Sequence, residues 1–203
     1  MPIPLDCDVM YADVFSAEEL RQNSYDGQQV NDLIAPDLQA SLEDLGAIPD
    51  ASLDFIVACH VIEHTRDPIG AIVRGMSKLK PSGQMALVIP DMTRTFDRAR
   101  ERTPLKHLID DFKDPQRERD REHFKEFYRV AMPVSSETYE DYWLARWKEA
   151  FPIHYHTWTY ESFMQMVDWI GANVRPFADV WSQPALDGVE DCIEFYCVLQ
   201  QST

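Results

Sequence analysis

The chain has 203 residues, of which 35 are acidic and 19 basic, so its formal net charge is −16 at pH 7. The hydrophobic fraction of 45% excludes wholesale disorder, and the length predicts one domain. No apolar run reaches the roughly 18 residues of a membrane span, and the N-terminus has no signal-peptide pattern. We therefore expect a cytoplasmic protein, and the negative charge disfavours nucleic acid and membranes as partners.

The positions of the cysteines and glycines limit which kinds of metal, disulfide or nucleotide site the sequence can form. Cys7, Cys59, Cys192 and Cys197 form no C-x-x-C pair, so we expect reduced thiols, buried where they lie in apolar runs. The seven glycines never fall in a G-x-G-x-x-G or a G-x-x-x-x-G-K pattern. The sequence therefore lacks a glycine-rich loop for nucleotide phosphates.

The N-terminal region predicts short strands and one helix. Residues 8–12 and 30–34 are candidate strands. Ser16 is a typical N-cap and two glutamates follow it, so a helix is expected through about Asn23.

The next segment carries the clearest local pattern. Residues 53–59 form a mostly apolar run that predicts a strand buried on both faces. Asp67 and Pro68 are typical of a helix start, and apolar residues recur at helical spacing until a turn at residues 81–83. Residues 84–89 predict a second buried strand. This βαβ unit implies a parallel sheet covered by helices.

The middle of the chain, residues 97–150, is rich in charge. A helix is expected over 103–112, and further helices over 116–130 and 136–150. Acidic and basic side chains intermix, so we interpret this region as a helical surface with solvated ion pairs, on which His123 would lie. A cap over a functional site is the alternative.

The C-terminal part returns to alternating helix and strand patterns. Thr159 predicts the start of a helix that ends at Gly171. Residues 174–181 and 191–199 predict strands.

The string HVIEH at residues 60–64 is the sharpest motif. It fits the H-x-x-E-H pattern of zinc peptidases, so a metal hydrolase that uses His60, Glu63 and His64 is one hypothesis. That chemistry needs the histidines one turn apart on a helix, whereas this string directly follows a predicted strand. Ligands of open α/β sheets bind beyond the carboxyl ends of the strands. We therefore favour a ligand site formed by this loop and by Asp91, which follows the next strand.

Residues 49–112 resemble a known family most strongly. The run LDFIVACHVIEHTRDPIGAIVRGMSKLKPSGQMALVIPD is similar to the second half of class I S-adenosylmethionine-dependent methyltransferases of the bacterial type-11-like group. It resembles that group's fourth strand, H-x-x-E-H-x-x-D-P turn, helix and fifth strand. The strings PDMTRTFDR, TPLKHLIDDF and HYHTWTYESF resemble one subgroup, so the likeness covers about residues 8–199.

The resemblance implies a fold for the whole chain. It predicts a single α/β domain over residues 1–203 with a Rossmann-like methyltransferase sheet. That sheet is expected to be mostly parallel, with helices on both faces and a C-terminal antiparallel strand. Residues 97–150 would form a helical insertion or cap.

The resemblance also implies S-adenosylmethionine as the cofactor and assigns its contacts by position. Asp13 matches the acid that hydrogen-bonds the ribose. Asp32 and Leu33 match the region that contacts adenine. Cys59 and His60 lie where the methionine part of the cofactor binds in the family.

A second set of side chains is implied for the methyl acceptor. Methyl transfer needs an in-line nucleophile and sometimes a base. The implied catalytic residues are His64, His156 and Asp91, with no metal ligand among them. The implied substrate-binding residues are Arg94, Asp97, His154 and Trp158. For the aromatic and imidazole cluster at residues 154–158, a packed and hydrogen-bonded hinge is the alternative interpretation.

The sequence departs from the family pattern at its start. The family's first strand and glycine-rich loop normally precede the ribose acid, yet Asp13 lies 12 residues after Met1. Three explanations remain open. The chain is a shortened product, the family's second strand pairs directly with its fourth, or another copy completes the sheet in a homo-oligomer.

The leading hypothesis is therefore an S-adenosylmethionine-dependent methyltransferase that acts on a small-molecule or sugar-like acceptor. The absence of the glycine motif motivates a second hypothesis, a non-catalytic remnant of the fold that acts as a binding or oligomerising module. The metal hydrolase is the third.

Overall fold

A four-stranded sheet organises the structure, a computed structural model that describes residues 7–22, 33–114, 117–189 and 192–202. The described elements, in chain order, are β1 (Ala12–Asp13), α1 (Ala17–Gln22), β2 (Leu38–Gln39), β3 (Leu53–Cys59), α2 (Pro68–Lys78), β4 (Leu79–Pro90), α3 (Leu105–Lys113), α4 (Asp120–Glu126), α5 (Tyr139–Lys148), α6 (Tyr160–Asn173), β5 (Asp179–Gln183) and β6 (Glu194–Gln200).

The strand order of the main sheet is β3-β4-β6-β5. β3 and β4 are parallel, whereas β6 is antiparallel to both of its neighbours, β4 and β5. Three strands therefore run in one direction, and β6 lies between two of them in the opposite direction. This arrangement confirms the predicted Rossmann-like α/β class with a C-terminal antiparallel strand.

The predicted βαβ unit forms β3, α2 and β4. The Asp67 carboxylate caps α2 by accepting the Gly70 backbone N–H at 2.7 Å, and Pro68 occupies the first helical position, where its missing N–H costs no hydrogen bond. A Cβ atom on Gly70 would lie 1.8 Å from the Asp67 carboxylate, so glycine permits this close approach. β4 begins at Leu79, earlier than predicted, and its pairing with β3 shifts register after Leu53.

The main core lies on one face of this sheet. On β6, Phe195, Cys197 and Leu199 are buried and alternate with partly exposed residues, as one face of a strand requires. Apolar side chains of α2, α3 and α6 pack against this face, among them Ile72, Leu108, Phe163, Met166 and Ile170.

The prediction that β3 is buried on both faces was wrong. Val57 is 45% exposed and Cys59 is also exposed, whereas Ala58 is buried. In the described part of the chain α2, α3 and α6 pack on the same face of the sheet, which differs from the expected helices on both faces, and β3 is the outer strand of that sheet. The expected buried thiol is therefore found at Cys197 and not at Cys59.

A separate two-stranded parallel sheet, β1 and β2, lies at the N-terminal side. The first predicted strand is reduced to Ala12–Asp13, and its partner is Leu38–Gln39. Of the candidate strand 30–34, residues 30–32 lie outside the described residues, and 33–34 form no strand. The predicted start of α1 is confirmed, because the Ser16 hydroxyl accepts the Glu19 backbone N–H. The predicted end at Asn23 lies outside the described residues.

The charged middle region forms helices with an apolar cluster of their own. α3 begins just after Pro104, and α4 continues into a π-helical turn at Phe127–Ala131. The buried members of this second cluster are Phe124, Phe127, Tyr128, Trp143, Ile153 and Tyr155. The region is therefore more than a solvated, ion-paired surface.

The C-terminal elements follow the sequence pattern with small shifts. α6 begins with a capping box between Thr159 and Ser162, and it ends two residues after Gly171. The two strands begin later than predicted, at Asp179 and Glu194. Among the described residues, none of the helices has the length and apolar character that crossing a membrane requires.

The α2 cap generates a stability prediction. Asp67→Ala should lower the free energy of unfolding by about 1–2 kcal/mol, because a buried backbone N–H loses its acceptor. Urea denaturation measures this change. The control is Asp54→Ala, which removes a solvent-exposed pair with Lys80 and should cost less than about 0.5 kcal/mol. Equal losses in the two variants would contradict a capping role for Asp67.

Candidate active site

The candidate site begins where the chain leaves β3. The His60 backbone N–H donates to the Val88 carbonyl of β4, and His60 adopts a left-handed conformation with φ 52°. Ile62–His64 then form a single 3-10 turn, with the Glu63 side chain buried. The sharp turn after the strand therefore directs the Glu63 side chain into the protein interior and leaves His60 and His64 partly exposed.

The Glu63 carboxylate is the centre of the site. It is 1% exposed, and within the described part of the chain neither of its oxygens has a hydrogen-bond partner. Three imidazole nitrogens surround its Oε1 atom, His60 Nδ1 at 3.8 Å, His64 Nε2 at 3.9 Å and His154 Nε2 at 4.0 Å. Burial raises the pKa of Glu63 to about 8, so its carboxyl group keeps its proton at neutral pH.

His154 belongs to a buried chain of charged groups. Its Nδ1 lies 2.6 Å from Asp97 Oδ2, and Arg100 donates both to Asp97 Oδ1 and to the His154 carbonyl at 2.9 Å. Burial alone would raise the pKa of Asp97, but the hydrogen bonds and charges of His154 and Arg100 outweigh it and lower that pKa. Asp97 is therefore ionised and accepts the Nδ1–H of His154, which directs the other nitrogen, Nε2, towards Glu63.

His64 has a different electrostatic state. Its Nδ1–H donates to the Ile153 carbonyl at 2.9 Å, so Nε2 keeps its lone pair. Burial and the neighbouring His154 lower the pKa of His64 to about 4. The ring therefore stays neutral at pH 7 and can accept a hydrogen bond there.

The outer rim of the site contains His60, Cys59 and Phe96. The Nε2 atom of His60 lies 3.5 Å from Glu194 Oε2 on β6. Partial burial and the nearby Glu194 carboxylate raise the pKa of the Cys59 thiol, so this residue is no activated nucleophile. The Phe96 ring is 48% exposed, and its centroid lies 4.7 Å from that of His154.

Residues 153–158 join the site to the rest of the molecule. The Tyr155 backbone N–H donates to the Glu63 carbonyl at 2.8 Å, and the Ile153 carbonyl binds His64. The Trp158 carbonyl accepts the Met92 backbone N–H beyond the end of β4. This segment therefore connects the carboxyl ends of β3 and β4.

Three residues that the resemblance assigned to catalysis or to binding of the methyl acceptor make structural contacts within the protein instead. Asp91 Oδ1 accepts both the backbone N–H and the hydroxyl of Thr93, which caps the turn after β4. Arg94 donates to two carbonyls of the loop before β6 and pairs with Asp187. Trp158 is 1% exposed and packs edge-on against Phe163 in the core.

His156, an implied base, lies in a different histidine cluster. Its side chain is fully buried, and its Nε2 lies 3.1 Å from the Arg66 carbonyl. Burial and the neighbouring His123 lower the pKa of His156 well below its ordinary value. In this structure the ring has no exposed surface from which to reach a substrate.

The implied adenosine contacts are described only in part. Asp13 lies at the end of β1, where its Oδ1 accepts the Phe15 backbone N–H at 2.8 Å. Leu33 is 36% exposed, and Asp32 lies outside the described residues.

The structure also adds features that the sequence did not suggest. Arg100 fixes the Asp97–His154 pair. Glu63 was part of the predicted ligand loop and of the zinc hypothesis, but its central, buried position was not predicted. The atoms that could share a metal ion here belong to Glu63, His64 and His154, and they lie within 4.8 Å of one another. His60, a member of the hypothetical zinc set, is not part of that group.

Residues 7–87 match the methyltransferase domain family. The match includes the turn at residues 60–64, all of α2 and most of β4. A search of curated proteins finds no match to the chain.

Solved structures with low sequence identity are also similar to this chain. One is CurJ carbon methyltransferase, with 13% identity over 81% of this chain and 34% of that chain and a TM-score of 0.41. A second, from Thermotoga maritima, is described as an S-adenosylmethionine-dependent methyltransferase and a possible histamine N-methyltransferase. Its identity is 16% over 80% of this chain and 62% of that chain, with a TM-score of 0.41.

A third similar structure is an S-adenosylmethionine-dependent methyltransferase from Methanosarcina mazei. Its identity is 13% over 94% of this chain and 80% of that chain, with a TM-score of 0.41. The present chain thus spans less than two thirds of the length of the first two proteins. The sequence match over residues 7–87 confirms the resemblance of the βαβ unit to the methyltransferase domain family.

Proposed function

We propose that the protein transfers a methyl group from S-adenosylmethionine to a small, hydroxylated or amine-bearing acceptor at the carboxyl ends of β3 and β4. The observation that carries this proposal is the orientation of His154. Its Nδ1 is held by the ionised Asp97, and its Nε2 lies 4.0 Å from Glu63 Oε1, beside the partly exposed His60 and His64. Glu63 belongs to the turn at residues 60–64, which lies within the stretch that matches the family.

The residues present fit the cofactor at two points. The Glu63 carboxyl group is buried without a hydrogen-bond partner in the described residues, and Glu194 lies nearby at 3.5 Å from His60. The protonated Glu63 is neutral and offers a ligand an unpaired hydrogen-bonding group, whereas the nearby Glu194 and the net charge of −16 suit a cationic ligand. Asp13 would bind the ribose hydroxyls, and Cys59 and His60 would border the methionine part. When bound, S-adenosylmethionine supplies the methyl group that the acceptor receives.

In this proposal His154 acts as the general base. Its Nε2 receives the proton that the acceptor's hydroxyl or amine group loses, and the Asp97 carboxylate stabilises the resulting imidazolium. Arg100 is a positioning residue, because its buried side chain fixes Asp97 and the His154 carbonyl. This assignment replaces the implied base His156, which is buried elsewhere.

His64 and Phe96 would position the acceptor. His64 stays neutral at pH 7, so its Nε2 accepts a hydrogen bond and does not retain a proton. The exposed ring of Phe96 offers an apolar face next to the polar His154 ring. A flat aromatic face beside hydrogen-bonding groups suits a sugar-like acceptor, which has apolar C–H faces and hydroxyl edges.

Cofactor binding and proton transfer are tested separately. The protein should bind S-adenosylmethionine in calorimetry, and His154→Gln should retain that binding. The same variant should lower the rate of S-adenosylhomocysteine formation with a pool of small hydroxylated acceptors by about 10²- to 10⁴-fold, because the base is lost. Asp97→Asn should act in the same direction, whereas the surface control Asp54→Asn should have no effect.

Two outcomes would overturn this proposal. One is the absence of calorimetric binding at millimolar S-adenosylmethionine. The other is unchanged methyl transfer by His154→Gln.

The protonated state of Glu63 generates a stability prediction. The pKa of Glu63 is about 8 in the folded protein, whereas its ordinary value is 4.5. Between these two pH values the folded state therefore binds one more proton at this residue than the unfolded state does. The contribution of Glu63 to the free energy of unfolding of the wild type therefore falls as the pH rises from about 4.5 to about 8. Glu63→Gln removes the ionisation, so its stability relative to wild type should increase by more than about 1 kcal/mol between pH 5 and pH 8.

Urea denaturation of both proteins at the two pH values measures this difference. The histidines titrate in both proteins, so their contribution cancels when the two are compared. The matched control is Glu118→Gln, a solvent-exposed glutamate. A difference between Glu63→Gln and wild type that stays constant with pH would contradict a protonated Glu63.

A further inference from the structure

Four side chains outside the candidate active site converge on one point. They are His107 and Asp111 on α3, His123 on α4, and His156 in the segment before α6. One ligand atom from each lies within 4.8 Å of those of the other three. His107 and Asp111 are four residues apart on a helix, so their side chains share one face.

The shortest distances centre on His107. Its Nε2 atom lies 2.9 Å from Asp111 Oδ2 and 3.1 Å from His123 Nε2. The His156 ring packs beside both imidazoles, with centroids 5.7 Å from His107 and 5.1 Å from His123. His123, expected on a helix surface, is thus turned inward against other histidines.

The orientation of His156 points to an additional ligand. Its Nε2–H donates to the Arg66 carbonyl at 3.1 Å, so the lone pair of the neutral ring is on Nδ1. The side chain is 0% exposed, and Nδ1 has no hydrogen-bond partner among the described residues. A backbone carbonyl that holds one nitrogen while the other stays open is the usual support of a metal-binding histidine.

Asp111 has a comparable arrangement. Its Oδ1 accepts a hydrogen bond from Arg119 at 3.1 Å, which leaves Oδ2 directed at the cluster. Two imidazole nitrogens that face each other at 3.1 Å can share one proton only. The Asp111 Oδ2 atom lies at the same place, 2.9 Å from His107 Nε2.

We propose that His107, Asp111, His123 and His156 bind one Zn²⁺ ion. Three imidazole nitrogens and one carboxylate oxygen are zinc ligands, and four ligands complete its tetrahedral shell. Zinc-to-ligand distances near 2.1 Å place neighbouring ligand atoms about 3.4 Å apart, a little beyond the observed 2.9 and 3.1 Å.

The proposed site is structural. All four positions are filled by protein side chains, so no position is left for a substrate or an activated water molecule. The ion would join α3 and α4 of the charged middle region to the segment that carries His154. It is separate from the Glu63, His64 and His154 group and does not depend on the proposed methyl transfer.

Metal content and coordination are measured on the full chain. The protein is dialysed against Zn²⁺ after treatment with a chelator, and bound zinc is counted by elemental analysis. Co²⁺ replaces zinc to report geometry by its tetrahedral absorption band. We expect one equivalent of zinc per chain, a tetrahedral Co²⁺ spectrum and a lower thermal midpoint after chelation.

Variants locate the ion. His107→Gln and, as a more conservative second variant, Asp111→Asn should lose the bound zinc and the Co²⁺ band. Arg119→Gln, which removes the hydrogen bond that orients Asp111 and also a pair with Asp114, should weaken zinc affinity by about 10–100-fold. The matched control His64→Gln, in the other cluster, should retain one equivalent. Absence of stoichiometric zinc in the wild type would overturn the proposal, as would loss of zinc in His64→Gln with retention in His107→Gln.

Discussion

The backbone hydrogen bonds of residues 153–158 are the constraint on which both histidine clusters depend. The Glu63 carbonyl accepts the Tyr155 N–H, the Ile153 carbonyl orients His64, and the Arg66 carbonyl orients His156. One extended segment and one turn thus satisfy each other's polar groups, which buried backbone requires. Because this pairing fixes the segment, His154 is held beside Glu63, and His156 is held among the histidines of α3 and α4.

The two clusters illustrate how burial separates the roles of similar side chains. His64 and His154 both point Nε2 at Glu63, yet His64 is bound to a neutral carbonyl and His154 to an ionised carboxylate. Burial and the neighbouring His154 keep His64 neutral by lowering its pKa, whereas the Asp97 carboxylate would stabilise a proton added to His154. In the second cluster a carboxylate and three imidazole rings meet in a partly buried space, which suits a cation.

Local sequence signals predicted the βαβ unit well. The limits of β3, the Asp67 cap and Pro68 at the start of α2 depend on residues close in the chain, so periodicity and capping chemistry suffice. The burial of β3 was predicted wrongly because an apolar run does not reveal which faces its neighbours will cover. Val57 and Cys59 are exposed for this reason.

From the sequence, the proximity of the site residues could be predicted only for those that lie in one loop. His60, Glu63 and His64 are adjacent in sequence, whereas Asp97 and His154 reach them across long separations that no spacing rule encodes. The resemblance named these two residues, but not their hydrogen bond or the part of Arg100 in it. His123 was placed on a surface because its neighbours Glu122 and Glu126 are charged, although the adjacent Phe124 is fully buried.

The position of β6 in the sheet has a consequence for how the chain folds. β6 separates β4 from β5, and it is synthesised after both of them. Until it emerges from the ribosome, β4 exposes an unpaired edge and an apolar face, and β5 has no partner strand. Such edges promote pairing with other chains. Completion of the sheet therefore depends on contacts distant in sequence, which are slow to form and leave the nascent protein open to aggregation for longer.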